Sequence, residues 1–548
     1  MSPGSAARAI GAGLEAARPA RAIRAGERIH VVGVAGAGAS AAALLARWHG
    51  AEVSGCDRGG ASPYTPALEA EGIGLAWEHA VSHVRGANAP DRLAVTKALT
   101  AVDPDNPELA AARAAGIPLD PWQQVVADAA FGRSLVAVAG THGKSTSAGW
   151  LVHVLAAAGL DPSAFVGALL PSELTGGLPA TARRGQGRHV VVEADEYAGN
   201  FDPYRPDLAI LTSAEWDHPD VFPDTAAVVA CFREWLERAG EEAGGLSRPG
   251  KRPMSGRGRG PEFTGGAAAC PVLVANVADP GVASVLEGLR DWPGSVVATL
   301  LAGAGESLPD AVEMADLRER FATAAGPAAI VTGRIAGSDQ DGTLLEVRGY
   351  GPAPDAILVR LQLAGRHNGA NALGVAAAAA TLGVPVSAVA TALASFRGVG
   401  RRLQRLGAGS GVVVYDDYGH HPTAIRETLA AVRQLEPGRR IWAVYEPLTY
   451  HRTAAMLPQF AEVLATADAV AVADIWAGRD PDTSITSASA LAEAVARRRP
   501  GMVAAAPGSV EATAAWLARE VSAGDVVLVM GGGKSYRIAE ELVRLLGA

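Results

Sequence analysis

Short apolar runs rich in Val, Ile and Leu alternate along the chain with longer segments whose apolar positions fall at helical spacing. Arg28–Val34 then Ser40–His49, Leu135–Ala139 then Lys144–Ala158, Val412–Tyr415 then Pro422–Leu435, and Val526–Met530 then Ser535–Leu546 each read as strand, turn, helix. Strands that alternate with helices predict α/β architecture with mostly parallel sheets. At about 150 residues per domain, the 548 residues allow three or four domains. Two segments break the pattern. The first 25 residues carry Arg8, Arg18, Arg21 and Arg24 without an apolar core, which predicts a disordered extension rather than a secretory signal. Glu241–Gly266 is rich in Gly, Arg and Pro and predicts a disordered surface insertion. Its basic charge lacks the interleaved aromatics of an RNA-binding segment.

Composition narrows the class. A net charge of −9 gives no reason to expect nucleic acid or an anionic membrane as partner. No stretch reaches the ~18 uninterrupted apolar residues of a membrane span. The three cysteines, Cys56, Cys231 and Cys270, form no CxxC pair. That spacing fits a reducing compartment and predicts neither a disulfide framework nor a zinc site.

Two glycine turns carry candidate chemistry. In "RIHVVGVAGAGASAAALLARWHGAEVSGCD", Gly36, Gly38 and Ala41 match G-x-G-x-x-G/A, and Asp57 ends the second strand. Such a turn points helix-terminal amides at a diphosphate, without saying which nucleotide carries it. The alternative is a plain Gly/Ala turn in an alanine-rich chain. The second turn, "VAVAGTHGKSTSAGW", departs from the standard P-loop because Val138 replaces its first glycine. Gly140 and Gly143 still let backbone amides crowd a polyphosphate, Lys144 can bridge its β- and γ-phosphates, and Ser145 can ligate Mg²⁺. A lysine just inside a helix N-terminus opposes the helix dipole unless an anion compensates.

Further polar residues stand at predicted strand ends, where ligands gather in parallel α/β sheets. Glu193, Asp195 and Glu196 follow Val190–Val192, and Asp217 and His218 follow Leu208–Leu211. Next to a triphosphate these are reasonable Mg²⁺ ligands; alone, each reads equally as a solvated acid or a turn cap. His367, Asn368 and Asn371 head an alanine-rich helix and suit either adenine edges or a helix cap. Asp416, Asp417, Tyr418, His420 and His421 crowd the end of the Val412–Tyr415 run.

In this order, "GTHGKST", "VVEADEY", "DH" after a strand, "GRHNGAN", "FRGVGRR" and "YDDYGHHPTAI" resemble the Mur ligase family, the ATP-dependent ligases of the peptidoglycan peptide. The resemblance implies three domains: a Rossmann-like UDP-sugar domain (26–132), a central P-loop-type ATPase domain (133–398) and a Rossmann-like amino-acid domain (399–548). It implies hinges near 132–134 and 398–411. It assigns Gly36, Gly38, Ser40 and Asp57 to the UDP-sugar. Gly140, Thr141, Gly143, Lys144, Ser145, Thr146, His367, Asn368, Asn371, Arg402 and Asp417 fall to ATP. Ser145, Glu193 and His218 fall to Mg²⁺, His142, Glu196, Lys144 and His218 to the reacting centre, and Tyr418, His420 and Arg452 to the amino acid. The implied reaction joins L-alanine to the carboxylate of UDP-N-acetylmuramate through an acyl phosphate, on a cytoplasmic monomer or weak dimer. A carboxylate is a poor electrophile and phosphorylation supplies its leaving group, so two phosphate loops in one chain make chemical sense.

The chain departs from the family pattern at Ala39, Ser147, Ser213 and Leu448. Leu448 removes a polar group from the amino-acid pocket, and "YEP" and "HHPTAI" lean toward the family's recycling ligase, which attaches a preformed tripeptide by the same chemistry. Two other classes compete. An NAD-dependent oxidoreductase would use the first loop but leaves Gly140–Ser145 unexplained. A silent, nucleotide-binding subunit would not need Lys144, Glu193 and His218, all of which are present.

Overall fold

The strands assemble into three sheets in a computed structural model that describes residues 10–87, 89–245, 270–349, 356–478, 480 and 482–547. The first sheet has five strands in the order Gly74–Ala76, Glu52–Cys56, Arg28–Val32, Arg92–Val95 and Leu119–Pro121, all parallel. The central sheet runs Ile357–Leu361, Gly342–Arg348, Ala329–Asp339, Ser295–Ala302, Val272–Asn276, Leu208–Leu211, Ser134–Ala139, His189–Ala194, Ser163–Leu170 and Ala180–Arg183. Its middle is parallel; the first two pairs and the last pair are antiparallel. The third sheet runs Gln404–Gly409, Val412–Asp417, Val526–Gly531, Ile441–Glu446, Ala469–Ala473 and Val503–Gly508, antiparallel only at its first pair. This is the expected three-domain α/β architecture. The strand–helix pairs read from periodicity appear as Arg28–Val32 with Ala37–Trp48, Ser134–Ala139 with Lys144–Ala157, Val412–Asp417 with Pro422–Leu435, and Val526–Gly531 with Tyr536–Leu545.

Register decides what the central sheet presents. Ser134–Ala139 is buried throughout and lies between two partners, with Ala139 opposite Leu211 on one side and Ala194 on the other. Three loops therefore leave the same edge side by side: Gly140 onward, Asp195 onward and Thr212 onward. The Ala37–Trp48 helix packs on its own sheet and on Ser163–Leu170 and Ala180–Arg183, so one apolar cluster runs from the first domain into the second.

The start of the chain corrects an expectation. Residues 10–25 lie along the first domain instead of forming a disordered extension. Arg18 grips Asp128 through Nη1 and Nη2 at 3.0 and 2.8 Å, its Nη2 also meets Asp120 at 3.0 Å, and Ile23 is buried. Arg92 joins the same network, 2.6 Å from Asp128 and 3.0 Å from Glu27, and Arg21 closes on Glu27 at 2.5 Å. These partners stand far away in sequence, so no local pattern announces them. Residues 1–9 lie outside the described residues. So does most of the Glu241–Gly266 segment, although Thr225–Gly245 is helical.

This network makes the first domain acid-sensitive. Burial would raise the Glu27 carboxyl, but Arg21, the Arg24 amide and Arg92 outweigh it and bring it from 4.5 to about 2. A depressed carboxyl stabilises the fold fully above its unfolded value, and that contribution is lost as pH falls from about 4.5 toward 2. The Tm difference between wild type and Glu27→Gln is expected to shrink steadily across that window. A difference that stays constant from pH 6 to pH 2.5 would contradict the assignment.

Candidate active site

A cavity of about 920 Å³ lies where the three domains meet, with Gly38 and Trp122 on one wall, Lys144 and Ser145 on the floor, and Tyr418 and Arg452 opposite. The floor is the second glycine turn. Gly140 has φ +131° and Gly143 φ +81°; side chains there would strike Thr212 and Asn371 respectively, so both glycines are needed for conformation and for close approach. Lys144 opens the following helix, as the spacing predicts. Its Nζ donates to Gly140 O at 2.6 Å and to Glu196 Oε2 at 2.9 Å, and stands 3.4 Å from Asp195. Burial would lower this ammonium's pKa, but Glu196 and Asp195 override it and hold the group above its usual range. Asp195, partly exposed, and the buried Glu196 act on each other: Lys144 holds Asp195 low, while burial and Asp195 push Glu196 up. The opposing charge that a helix-leading lysine requires is thus supplied by protein carboxylates.

Beside the turn, Ser145 Oγ donates to Glu193 Oε1 at 3.0 Å, and Glu193 Oε2 accepts from Gly167 N at 2.6 Å. Asp195, Glu196 and His218 bring ligating atoms within 4.8 Å of one another. The expected magnesium set is therefore divided, with Ser145 and Glu193 in one group and His218 in the other. Around the turn the donors are mainly oxygens, the chemistry magnesium prefers. Glu196 departs from expectation. It is 1% exposed and lies beneath Lys144, outside the cavity wall, so it positions the lysine. His218 sits at φ +56° and is held near pKa 4, by burial first and by Arg452, and is neutral at pH 7. Arg452 Nη2 donates to His218 Nδ1 at 3.0 Å, which places the ring proton on Nε2. The ring offers Nδ1 to a cation only when Arg452 moves off.

The third domain closes the cavity through direct contacts with the central one. Arg402 Nη2 donates to Ser145 Oγ at 2.7 Å and stacks over Tyr418 at 4.7 Å. Thr423 Oγ1 donates to Glu215 Oε1 at 2.7 Å, and Glu215 Oε2 lies 3.0 Å from His142 Nε2. Burial would raise Glu215, but His142 and His421 bring it to about 2. Arg452 reaches Asp217 at 2.7 Å, and despite burial Asp217 is held well below the usual carboxylate range by that guanidinium. Arg452 is 4% exposed, yet its Nε and Nη1 have no hydrogen-bond partner among the described residues. Buried unpaired donors are costly, and here they border a cavity. His420 is neutral, driven well down by burial and Arg452. Asp417 accepts from Leu403 N and Gly419 N, both at 2.7 Å, and so shapes the loop that carries Tyr418.

His142, Thr141, Thr146, His367, Asn368 and Asn371 also line the cavity as the sequence suggests. Asn368 and Asn371 do not cap their helix, whose N-cap is Gly365. Asn368 donates to Ala364 O at 2.7 Å, and Asn371 abuts Gly143. The first glycine turn behaves differently. Gly38 reaches the cavity against Trp122, but Gly36, Ser40 and Asp57 do not. Ser40 is fully buried, 2.9 Å from Thr181 Oγ1, because its helix face is turned to the central sheet. Asp57 accepts from Ala35 N at 3.1 Å and Gly59 N at 2.7 Å, which shapes the turn. Glu215 was not singled out by the sequence. Its only signal is its place in "TSAEWDH", two residues before Asp217.

Residues 28–133 match the family described as "Mur ligase family, catalytic domain", and residues 401–533 match "Mur ligase, glutamate ligase domain". A protein of Kineococcus radiotolerans named UDP-N-acetylmuramate–L-alanine ligase is 36% identical, with 95% of this chain and 96% of that protein aligned. One of the same name from Frankia casuarinae is 34% identical over 95% and 98%. Among solved structures, a UDP-N-acetylmuramate-alanine ligase from Thermotoga maritima superposes with a TM-score of 0.69 at 22% identity, covering 94% of this chain and 98% of that one. A murein peptide ligase from Psychrobacter arcticus gives 0.64 at 23%, covering 95% and 99%. The structures speak for the fold alone, but the sequence identity runs through all three domains and nearly the full length of both relatives, and the chain belongs to the Mur ligase family.

Proposed function

We propose that the protein joins L-alanine to the carboxylate of UDP-N-acetylmuramate with ATP, in peptidoglycan precursor synthesis. Full-length similarity to relatives of that name supports the reading. The observation that carries it is the pairing, in one cavity, of the Lys144–Ser145 turn with the partly unpaired guanidinium of Arg452. The muramoyl carboxylate attacks the γ-phosphorus, the bond to ADP breaks, and an acyl phosphate forms. The L-alanine amine then attacks the acyl carbon, gives up a proton, and phosphate leaves. Lys144 neutralises charge on the transferring group, and Arg402 sits where it can orient it, so catalysis is positioning and electrostatics rather than covalent protein chemistry. Ser145, Glu193, Asp195 and His218 would hold magnesium, which when bound neutralises phosphate charge. His367, Asn368 and Asn371 would face the adenine, and Gly38 the UDP-sugar. Arg452 and His420 would take the carboxylate and amine side of alanine, beside an apolar patch of Leu448 and Trp476 that suits its methyl group. The domains are drawn at 26–132, 133–398 and 399–548, and the reaction is placed in the cytoplasm on a monomer or weak dimer. Among the described residues no helix is long and apolar enough to cross a membrane.

The test is phosphate release from ATP with UDP-N-acetylmuramate, comparing L-alanine, L-serine, glycine and the alanyl-glutamyl-diaminopimelate tripeptide. L-Alanine is expected to stimulate release most. Stimulation by the tripeptide alone would move the protein to cell-wall recycling, and no stimulation by any donor would defeat both.

A further inference from the structure

Away from the cavity, separate segments of the first domain bring nitrogen, sulfur and oxygen donors to one buried point. His30 comes from the Arg28–Val32 strand, Cys56 ends the Glu52–Cys56 strand, His83 lies in the short helix Val81–Val84, and Glu108 opens the Pro107–Ala114 helix. His30 is 3% exposed, and Cys56 and Glu108 are fully buried. None of the four lines the cavity. Their ligating atoms all lie within 4.8 Å of one another. His30 Nε2 is 3.3 Å from Cys56 Sγ and 2.9 Å from Glu108 Oε1. Cys56 Sγ is 3.2 Å from Glu108 Oε2, and His83 Nδ1 is 3.2 Å from Glu108 Oε1.

From this geometry we infer a structural zinc site formed by His30, Cys56, His83 and Glu108. A tetrahedron with bonds of about 2.0–2.3 Å has edges of about 3.3–3.8 Å, and these four contacts stand at that length or a few tenths of an ångström short of it. Two nitrogens, one sulfur and one oxygen suit zinc rather than magnesium. A thiolate and a carboxylate balance a divalent cation, which leaves no net charge in the buried site. The Cys56 thiol gives its proton to solvent as the metal enters. His30 Nδ1 is fixed 2.8 Å from Ser54 Oγ, which aims Nε2 at the centre. His79 Nδ1, 3.2 Å from the sulfur, stands as a supporting donor. The site would anchor the first glycine turn, because Cys56 O accepts from Gly33 N at 2.8 Å and Val34 N at 3.1 Å.

The test uses the full chain, stripped with chelator and titrated with Co²⁺ and Zn²⁺ alone. One equivalent of Co²⁺ is expected to give tetrahedral visible bands and a near-ultraviolet thiolate charge-transfer band, and Zn²⁺ to displace it and raise Tm. Cys56→Ser should abolish the charge-transfer band, and the Cys231→Ser, Cys270→Ser double variant should keep it. Should Cys56→Ser fail to fold, His83→Ala at the half-buried edge is expected to weaken binding about ten-fold or more. A folded wild type without the thiolate band, or a band that survives in Cys56→Ser, would overturn the site and leave a hydrogen-bonded network only. Neither readout depends on ligase activity.

Discussion

Replacing Lys144 by alanine is expected to lower ATP-dependent phosphate release by about 10³-fold or more while the protein still folds. The ammonium opens the helix, and it is held in place by Gly140 O and Glu196 before any nucleotide arrives. A bound polyphosphate would meet a charge already positioned, so loss of the side chain removes stabilisation that water cannot replace. The cost to the fold is contained because a neighbouring carboxyl can take up a proton. Without Lys144, the buried Glu196 faces the like charge of Asp195 uncompensated, and Glu196, already raised, takes up a proton. The sign follows from that. A carboxyl raised in the folded state is ionised more readily in the unfolded chain, so stability falls as pH rises from the unfolded value toward the folded one. Because Glu196 already stands at about 7 in the wild type, the Tm gap between wild type and Lys144→Ala should widen as pH rises above about 7. Retained turnover in a folded Lys144→Ala protein would sink the role assigned to the turn.

Arg452→Ala is expected to fail twice. Asp217 would lose the guanidinium that lets it stay ionised at 6% side-chain exposure, a loss of about 3–5 kcal/mol. The amine donor would lose its charged contact as well. Arg452→Lys separates the two effects. A single ammonium can still compensate Asp217, but it cannot also supply the free Nε and Nη1 donors. The lysine variant is expected to melt close to wild type, to raise the KM for L-alanine about 100-fold, and to leave the KM for ATP nearly unchanged. That factor corresponds to losing one or two charge-assisted hydrogen bonds at about 1.5–3 kcal/mol each. A wild-type KM for L-alanine in Arg452→Lys would place the donor elsewhere in the cavity.

Most of the architecture was legible because its signals are local. A β-branched run, a glycine turn and a helical period lie within a few tens of residues, and they located Ser134–Ala139, the Gly140–Ser145 turn and the Lys144–Ala157 helix within a residue or so. The strand-end rule also put Glu193, Asp195 and His218 near Lys144, because parallel strands leave their loops on a common edge. Ser40 and Glu196 are both buried and do not line the cavity. Motif spacing cannot tell which face of a helix turns toward a neighbouring sheet, or which of two adjacent acids lies under a lysine. It also read residues 10–25 as disordered, because their order comes from ion pairs with Glu27, Asp120 and Asp128.

The sequence by itself determined the strand–helix alternation, the two glycine turns and the kinds of side chain that follow the strands. Only the tertiary structure decided which of them meet. Strand register set Lys144 against Asp195 and Glu196, and the seating of the third domain brought Arg452 to His218 across 234 positions. The fold of the first domain gathered His30, Cys56, His83 and Glu108 from segments with no shared spacing. Periodicity and turn chemistry act over neighbouring residues, whereas ion pairs, ligand clusters and cavities depend on distances that are fixed only once the sheets have packed.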